Sequence, residues 1–285
     1  MSTLSWETSR FRIDLSRPQV MGIVNLTPDS FSDGGQNASV RAALARCERL
    51  IGHGADLLDL GAESSRPGAT PLAESDELAR LLPVLKEAVH LGVPISVDTY
   101  KPRVMQAVLD LGADIINDIW ALRWRDDAGV SGVQVVAQHP ACGICLMHMH
   151  GEPMTMQTAP MHGDVLAQVL AFLRARVTVL QAAGVAAERI AVDPGIGFGK
   201  TRAQNFDLLA RQTALRQIGL PLLVGWSRKS SLAHMNPQSA PLAAGERLVP
   251  SVTACVLAVQ RGAHVVRVHD VLETVQALKV VASAR

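Results

Sequence analysis

The chain has 285 residues, 48% of them apolar and 19% charged, with a formal net charge of +1. That length suits one large α/β barrel or two modest domains, and the composition is that of a globular protein able to bury a sizeable core. A charge so near zero excludes a global field drawing the protein onto nucleic acid or an anionic membrane, so any anion must be captured by local geometry.

The first residues, MSTLSWETSRFRIDLS, hold no apolar signal core, and no stretch approaches the run of about 18 apolar residues read as a membrane span. A cytoplasmic enzyme or binding protein is the default expectation. Within residues 1–19, Phe11 to Leu15 alternate as a short strand would, and a hairpin closing the bottom of the fold is expected. The stretch MGIVNLTPDSFSDGG then sets the pattern for the rest. An apolar run, Val20 to Val24, reads as a strand buried on both faces, and it turns polar at Asn25, Thr27, Asp29 and Ser30 before Gly34-Gly35.

A helix follows with Ser39 as its N-cap, apolar residues from Val40 to Ile51 at helical spacing, and Gly52 and Gly54 at its end. Strand two is read as Ala55–Leu60, with the loop Gly61–Thr70 after it. The next helix carries Leu78, Leu81, Leu82, Leu85 and Val89 on one face, with Pro83 expected to kink it. Strand three, Ile95 to Val97, ends at Asp98, and Pro102 opens a helix that stops at Gly112. Strand four is Ile115-Ile116, ending in Asn117-Asp118, and the region 121–140 is poorly patterned. Strand five ends at Met147-His148, and Asp164 caps the helix after it. Strand six is Ile190 to Val192, ending at Asp193; strand seven is Leu222 to Val224; strand eight is Val265 to Val268, ending at His269 before a last helix. Gly54, Gly112 and Gly262 each open Gly-Ala-Asp or Gly-Ala-His just before a strand. Eight βα units without a linker predict one domain across residues 1–285, a single (β/α)8 TIM barrel.

In such a barrel the chemistry sits at the C-terminal strand ends. Asp98, Asn117 and Asp193 gather acceptors there, and buried carboxylates need partners. The nearby cations read as too few and too far out to satisfy them all. A flat aminopyrimidinone edge would do so, because a carboxylate accepts from a ring N–H and an amino group in parallel. Ser227-Arg228-Lys229-Ser230 and Arg267-Val268-His269 supply the opposite character after strands seven and eight, where barrels of this kind often bind phosphate. An acidic pocket beside a basic rim points to a heterocycle carrying a phosphate ester.

Other motifs lead elsewhere. Pro194 to Thr201 nearly spells a P-loop, but its first required glycine is Pro194. His148 and His150 have no third metal ligand at a suitable spacing. Cys142 and Cys145 form a C-x-x-C that leads into an apolar strand, so packed reduced thiols are expected.

These motifs, in order GAESSRPGA, ISVDT, IINDI, CLMHMHG, DPGIGFGK, VGWSRKS and RVHDV after the opening stretch, make the chain resemble the dihydropteroate synthase family along nearly its whole length. The resemblance implies a homodimeric enzyme that joins 6-hydroxymethyl-7,8-dihydropterin diphosphate to 4-aminobenzoate. It implies that Asp98, Asn117 and Asp193 hold the pterin with Met147 and Gly225, that Lys229 contacts the ring and that Arg267 lies against its face. Asn25 would help hold Mg²⁺ on the diphosphate, with Arg66, Arg267 and His269 on the anion. Phe31, Ser65, Pro67, Phe198 and Ser230 would shape the aminobenzoate site, where sulfonamides compete in this family. Ser65 stands where the family usually has threonine and Ala62 where it commonly has glycine. The competing readings are a pterin-dependent methyltransferase barrel, a Schiff-base aldolase using Lys229 and a silent pterin-binding paralogue.

Overall fold

The computed structural model describes residues 4–26, 35–64, 68–235 and 240–284. Strands β1 (Ser5–Glu7) and β2 (Arg12–Asp14) pair antiparallel as the N-terminal hairpin. Eight parallel strands follow: β3 (Gln19–Asn25), β4 (Leu57–Gly61), β5 (Ile95–Asp98), β6 (Ile115–Asp118), β7 (Gly143–Met147), β8 (Ile190–Asp193), β9 (Leu223–Val224) and β10 (Val265–Val268). Neighbours in sequence are neighbours in the sheet, β10 returns to pair with β3, and a bridge between Val192 and Leu222 joins β8 to the β9 edge. The outer layer is α1 (Gly35–Gly52), α2 (Glu74–Ala88), α3 (Pro102–Asp110), α4 (Gly132–Gln138), α5 (Val165–Ala182), α6 (Arg202–Ala210), α7 (Leu248–Gln260) and α8 (Val271–Ser283). The expected (β/α)8 barrel with a hairpin at its bottom is the observed fold.

Strand alternation divides the core in two. Outward residues such as Val20, Val24, Leu58, Leu60, Ile95 and Val97 pack under the helices in one large apolar layer. Inward residues at the N-terminal end of the barrel form a separate floor. Met21, Leu57, Ile115, Cys145, Ala191, Leu223 and Val265 come one from each barrel strand except β5, and Trp6, Ile13 and Leu15 of the hairpin region plug them from below. Trp6 is fully buried, and its indole N–H donates to the Arg189 carbonyl at 3.0 Å. Arg10 pairs with the buried Asp114 at 2.6 Å, which fastens the hairpin turn to the start of β6.

Several local readings shift. Helix α1 begins at Gly35, so Ser39 lies inside it and is not its N-cap, and β4 is Leu57–Gly61 where Ala55–Leu60 was expected. Pro83 lies inside α2, which is assigned as one helix through it. Pro102 does open α3, and the Asp164 carboxylate does cap α5 by accepting from the Ala167 N–H. In the poorly patterned region, Asp118 accepts from the N–H groups of Trp120 and Leu122, both at 2.7 Å. That holds Ala121 and Leu122 at φ of 52° and 59°, before a Ser131–Gln134 capping box opens α4. Seven helical residues are too few to show a period, which is why this stretch was hard to read. The membrane expectation also needs correcting: α5 is long and apolar enough to cross a bilayer by length and composition. Its Val165, Leu166, Val169, Leu173, Val177 and Leu180 are nevertheless buried in the barrel's outer core. All four cysteines are buried free thiols, as expected.

Candidate active site

The site is the inward register continued upward. Two residues beyond the apolar floor, the same faces of the strands carry Asp59 after Leu57, Asn117 after Ile115, Met147 after Cys145, Asp193 after Ala191, Gly225 after Leu223 and Arg267 after Val265. On β5, which adds nothing to the floor, Ser96 and Asp98 face inward. Four strands, β4, β6, β8 and β10, therefore run from hydrocarbon to a hydrogen-bonding side chain within one step of alternation.

Arg267 organises this tier. Its Nε donates to Asp59 Oδ2 at 2.5 Å and its Nη2 to Asp98 Oδ2 at 2.8 Å. Asp59 is fully buried and also accepts from Ser96 Oγ at 2.6 Å and from Asn117 Nδ2 at 3.3 Å. Sequence reading missed Asp59 because it is flanked by leucines within a strand, not at its end. The available signal was the period-two phase, which places a carboxylate inward between Leu57 and the mouth. The expectation that cations lie too far out is wrong for Asp98, which Arg267 reaches. It holds better for Asp193, whose Oδ1 accepts the Gly195 N–H at 2.7 Å and makes no ion pair among the described residues.

Burial dominates the protonation of these groups. It pushes Asp98 up to about 7 against the pull of Arg267, and Asp193 up to about 6 against the Gly195 N–H and Lys229. It pushes Lys229 down to about 8, helped by Arg267. Arg267 is the reverse case: burial disfavours its charge, but Asp59 and Asp98 outweigh that and hold it firmly cationic.

The rim is arranged by local contacts. The Lys229 ammonium lies 4.2 Å from the centroid of the Phe198 ring. Ser230 is exposed at the start of a short 3-10 turn, Ser230–Leu232. His269 Nδ1 lies 3.0 Å from Ser227 Oγ, and burial with Arg228 pushes the imidazole down to about 3, so it is neutral at pH 7. Arg228, at φ 58°, turns aside to pair with Asp270. Asn25 ends β3 opposite Gly61 of β4. Met147 and Phe198 join Tyr100, Ile119, Met149 and Met156 in a small apolar cluster over the mouth. Phe31, Ser65, Arg66 and Pro67 lie outside the described residues. A cavity of about 1020 Å³ opens beside the mouth, reaching Asp98 and walled in part by Tyr100, Trp120 and Trp124.

Among the described residues no three His, Cys, Asp or Glu side chains group as a metal site. Asn25 offers a hard amide oxygen. One such ligand suits Mg²⁺ only where phosphate oxygens and water complete the octahedron, and that is the usual manner of Mg²⁺ on phosphate substrates.

The family described as pterin binding enzyme matches residues 21–269. The dihydropteroate synthase of Neisseria meningitidis serogroup B is 48% identical over 96% of this chain and 95% of its own. Among solved structures, the Xanthomonas albilineans dihydropteroate synthase with 4-aminobenzoic acid has a TM-score of 0.89 at 43% identity, covering 99% of this chain and 98% of that one. The Burkholderia cenocepacia dihydropteroate synthase complexed with 7,8-dihydropteroate has a TM-score of 0.86 at 44% identity, covering 99% and 97%.

Proposed function

This chain belongs to the pterin-binding enzyme family, among its dihydropteroate synthases, and from that premise we propose how its mouth carries out the condensation of a dihydropterin diphosphate with 4-aminobenzoate. The observation that carries the reading is the tier of Asp59, Asp98, Asn117, Asp193 and Arg267 set one register step above the apolar floor.

Asp193 and Asp98 accept from the amino group and ring N–H groups of the pterin, with Asn117 beside them, and Arg267 lies along the ring face. Met147 and Gly225 shape the slot: Gly225 leaves the pterin room above Arg267, whose Cβ is 4.0 Å from where a Cβ would stand. At the rim His269 would receive the diphosphate, joined by Arg66 on the strength of the resemblance, and Asn25 would help hold a Mg²⁺, which would supply charge neutralisation. Diphosphate leaves first, with its electron pair, and the exocyclic methylene becomes a cation delocalised into the ring. Three inward carboxylates favour that positive charge. The 4-aminobenzoate nitrogen, presented beside Phe198, Lys229 and Ser230, then attacks and gives its proton to water; the resemblance adds Phe31, Ser65 and Pro67 to the residues that shape its site. No protein nucleophile takes part, so Lys229 acts as a contact to the ring and not as a Schiff base.

We also assign the enzyme to the cytoplasm, where its buried thiols stay reduced, and to a homodimer through α7 and α8. Those adjacent helices expose Val249, Leu272 and Val280. The deciding measurement is diphosphate release with and without 4-aminobenzoate and Mg²⁺. Release that requires Mg²⁺, persists slowly without the amine and accelerates with it supports the sequence of steps. Release with a strict requirement for the amine would replace it with a concerted displacement.

A further inference from the structure

The near-P-loop Pro194–Thr201 finds no use in the chemistry above, and its lysine does not face a phosphate. Lys200 is 2% exposed. Its Nζ donates to the Gly195 carbonyl at 2.9 Å, to the Phe198 carbonyl at 3.1 Å and to His148 Nδ1 at 2.9 Å, with the His148 carbonyl at 3.5 Å. A phosphate loop turns N–H donors inward; this loop turns carbonyls inward and fills its own centre with a cation from the same chain.

The neutral imidazole of His148 agrees with that arrangement, and Lys200 is held between opposed effects. Burial and the neighbouring Lys200 push His148 down to about 2, so its ring is neutral and Nδ1 accepts. Burial also pushes Lys200 down to about 7, while Asp193 pulls it back up. The three acceptors within 3.1 Å of Nζ call for three N–H donors, which only the ammonium has.

Both ends of the loop bear on the site. The Gly195 N–H donates to Asp193 Oδ1, and the Phe198 ring lies under the Lys229 ammonium. The loop is pressed flat on the chain after β7: a Cβ at Gly195 would stand 1.8 Å from the His148 carbonyl oxygen, and one at Gly199 would stand 2.4 Å from that of His150. From outside, Asn205 accepts the Gly197 N–H and donates to Ser231 Oγ.

We propose that Lys200 is a positioning residue for the condensation, fixing Asp193 and Phe198 together against His148 so that pterin and aminobenzoate are held in one register. The inference rests on the site reading above, in which Asp193 accepts from the pterin and Phe198 frames the amine.

The test is Lys200→Met, similar in length but without donors, assayed well below its melting temperature. The readouts are calorimetric affinity for 6-hydroxymethylpterin and KM for 4-aminobenzoate, which a purely structural lysine would not move in a fully folded protein. The expected result is a loss of about tenfold or more in both, the order that displaced contacts produce. Lys200→Arg, which keeps the charge and the donors, should recover part of each. Values within twofold of the parent for both ligands would overturn the proposal. Should Lys200→Met not fold, His148→Leu removes one of the three acceptors, and unchanged affinities there overturn it equally. Asp193→Asn and Phe198→Ala separate the two claims. If they lower the affinities and Lys200→Met does not, the lysine proposal alone falls; if they too change nothing, the site reading falls and takes the proposal with it.

Discussion

The two ends of this barrel use the same strands and the same inward phase, yet they are built on opposite principles. At the bottom, Met21, Leu57, Ile115, Cys145, Ala191, Leu223 and Val265 meet Trp6, Ile13 and Leu15, and every contact lowers the free energy of folding. At the top, two residues further along, buried carboxylates and cations face one another. Burial works against several of them: Asp98 and Asp193 are pushed up, Lys229 and Lys200 down. The bottom holds the barrel shut, and the top stores recognition that a substrate completes. Stability and function are thus separated along the barrel axis and not between domains.

Substitutions at each end should break different things. The largest effect is expected from Trp6→Ala, which empties the plug and orphans the Arg189 carbonyl, costing about 3–5 kcal/mol of stability. Denaturant unfolding should show that loss while KM for both substrates stays put in the folded fraction. A KM shift comparable to the stability loss would mean the two ends are coupled. Next comes Asp193→Asn, which presents an amide donor where the pterin offers donors. It should weaken pterin binding by about 1–3 kcal/mol. Because an ionised Asp193 is disfavoured by burial, the melting temperature should stay level or rise. A marked drop would place Asp193 among the structural groups.

The last effect is linked to pH and is small for any one step in pH. Asp98 and Asp193 have folded values near 7 and 6, above the unfolded carboxylate range. The unliganded protein therefore keeps protons that the unfolded chain gives up above about pH 4. Its stability falls as pH rises through that window, and the penalty is complete above about 7. A pterin that donates to these groups needs them ionised, so its affinity should climb with pH to a plateau above about 7, by up to about 1.4 kcal/mol per unit for each titrating group. Calorimetry in buffers of different ionisation enthalpy would register proton release near pH 6. Proton uptake there would mean the pterin binds the neutral acids.

The fold was readable because eight apolar runs recurred, most of them ending in a polar residue, and a closed parallel sheet is the arrangement that puts those ends around one mouth. Asp98, Asn117, Asp193 and Arg267 were legible for the same reason. Asp59 was not, since a buried acid among leucines shows only through its phase in the strand. Lys200 was visible as a motif but not by direction: whether a glycine-rich loop turns N–H or C=O inward is decided by positive φ angles, here 66°, 83° and 68° at Gly195, Gly197 and Gly199. The short helix α4 was hidden by its length, whereas α5 was legible from its Asp164 cap.

The floor has a consequence in time as well as in space. Trp6 is translated well before its partner, because the carbonyl that receives its indole N–H belongs to Arg189, 183 positions later. The first barrel strand, β3, waits longer still, because one of its two neighbours is β10, which pairs Val265 with Gln19. Until Arg189 is synthesised the plug lacks its carbonyl partner, and until β10 is synthesised β3 lacks one of its two neighbours. Closure of the ring is therefore a late event between distant parts of the chain, slow by its topology. The nascent chain must keep its oiliest inward faces out of trouble from the making of β3 to the making of β10.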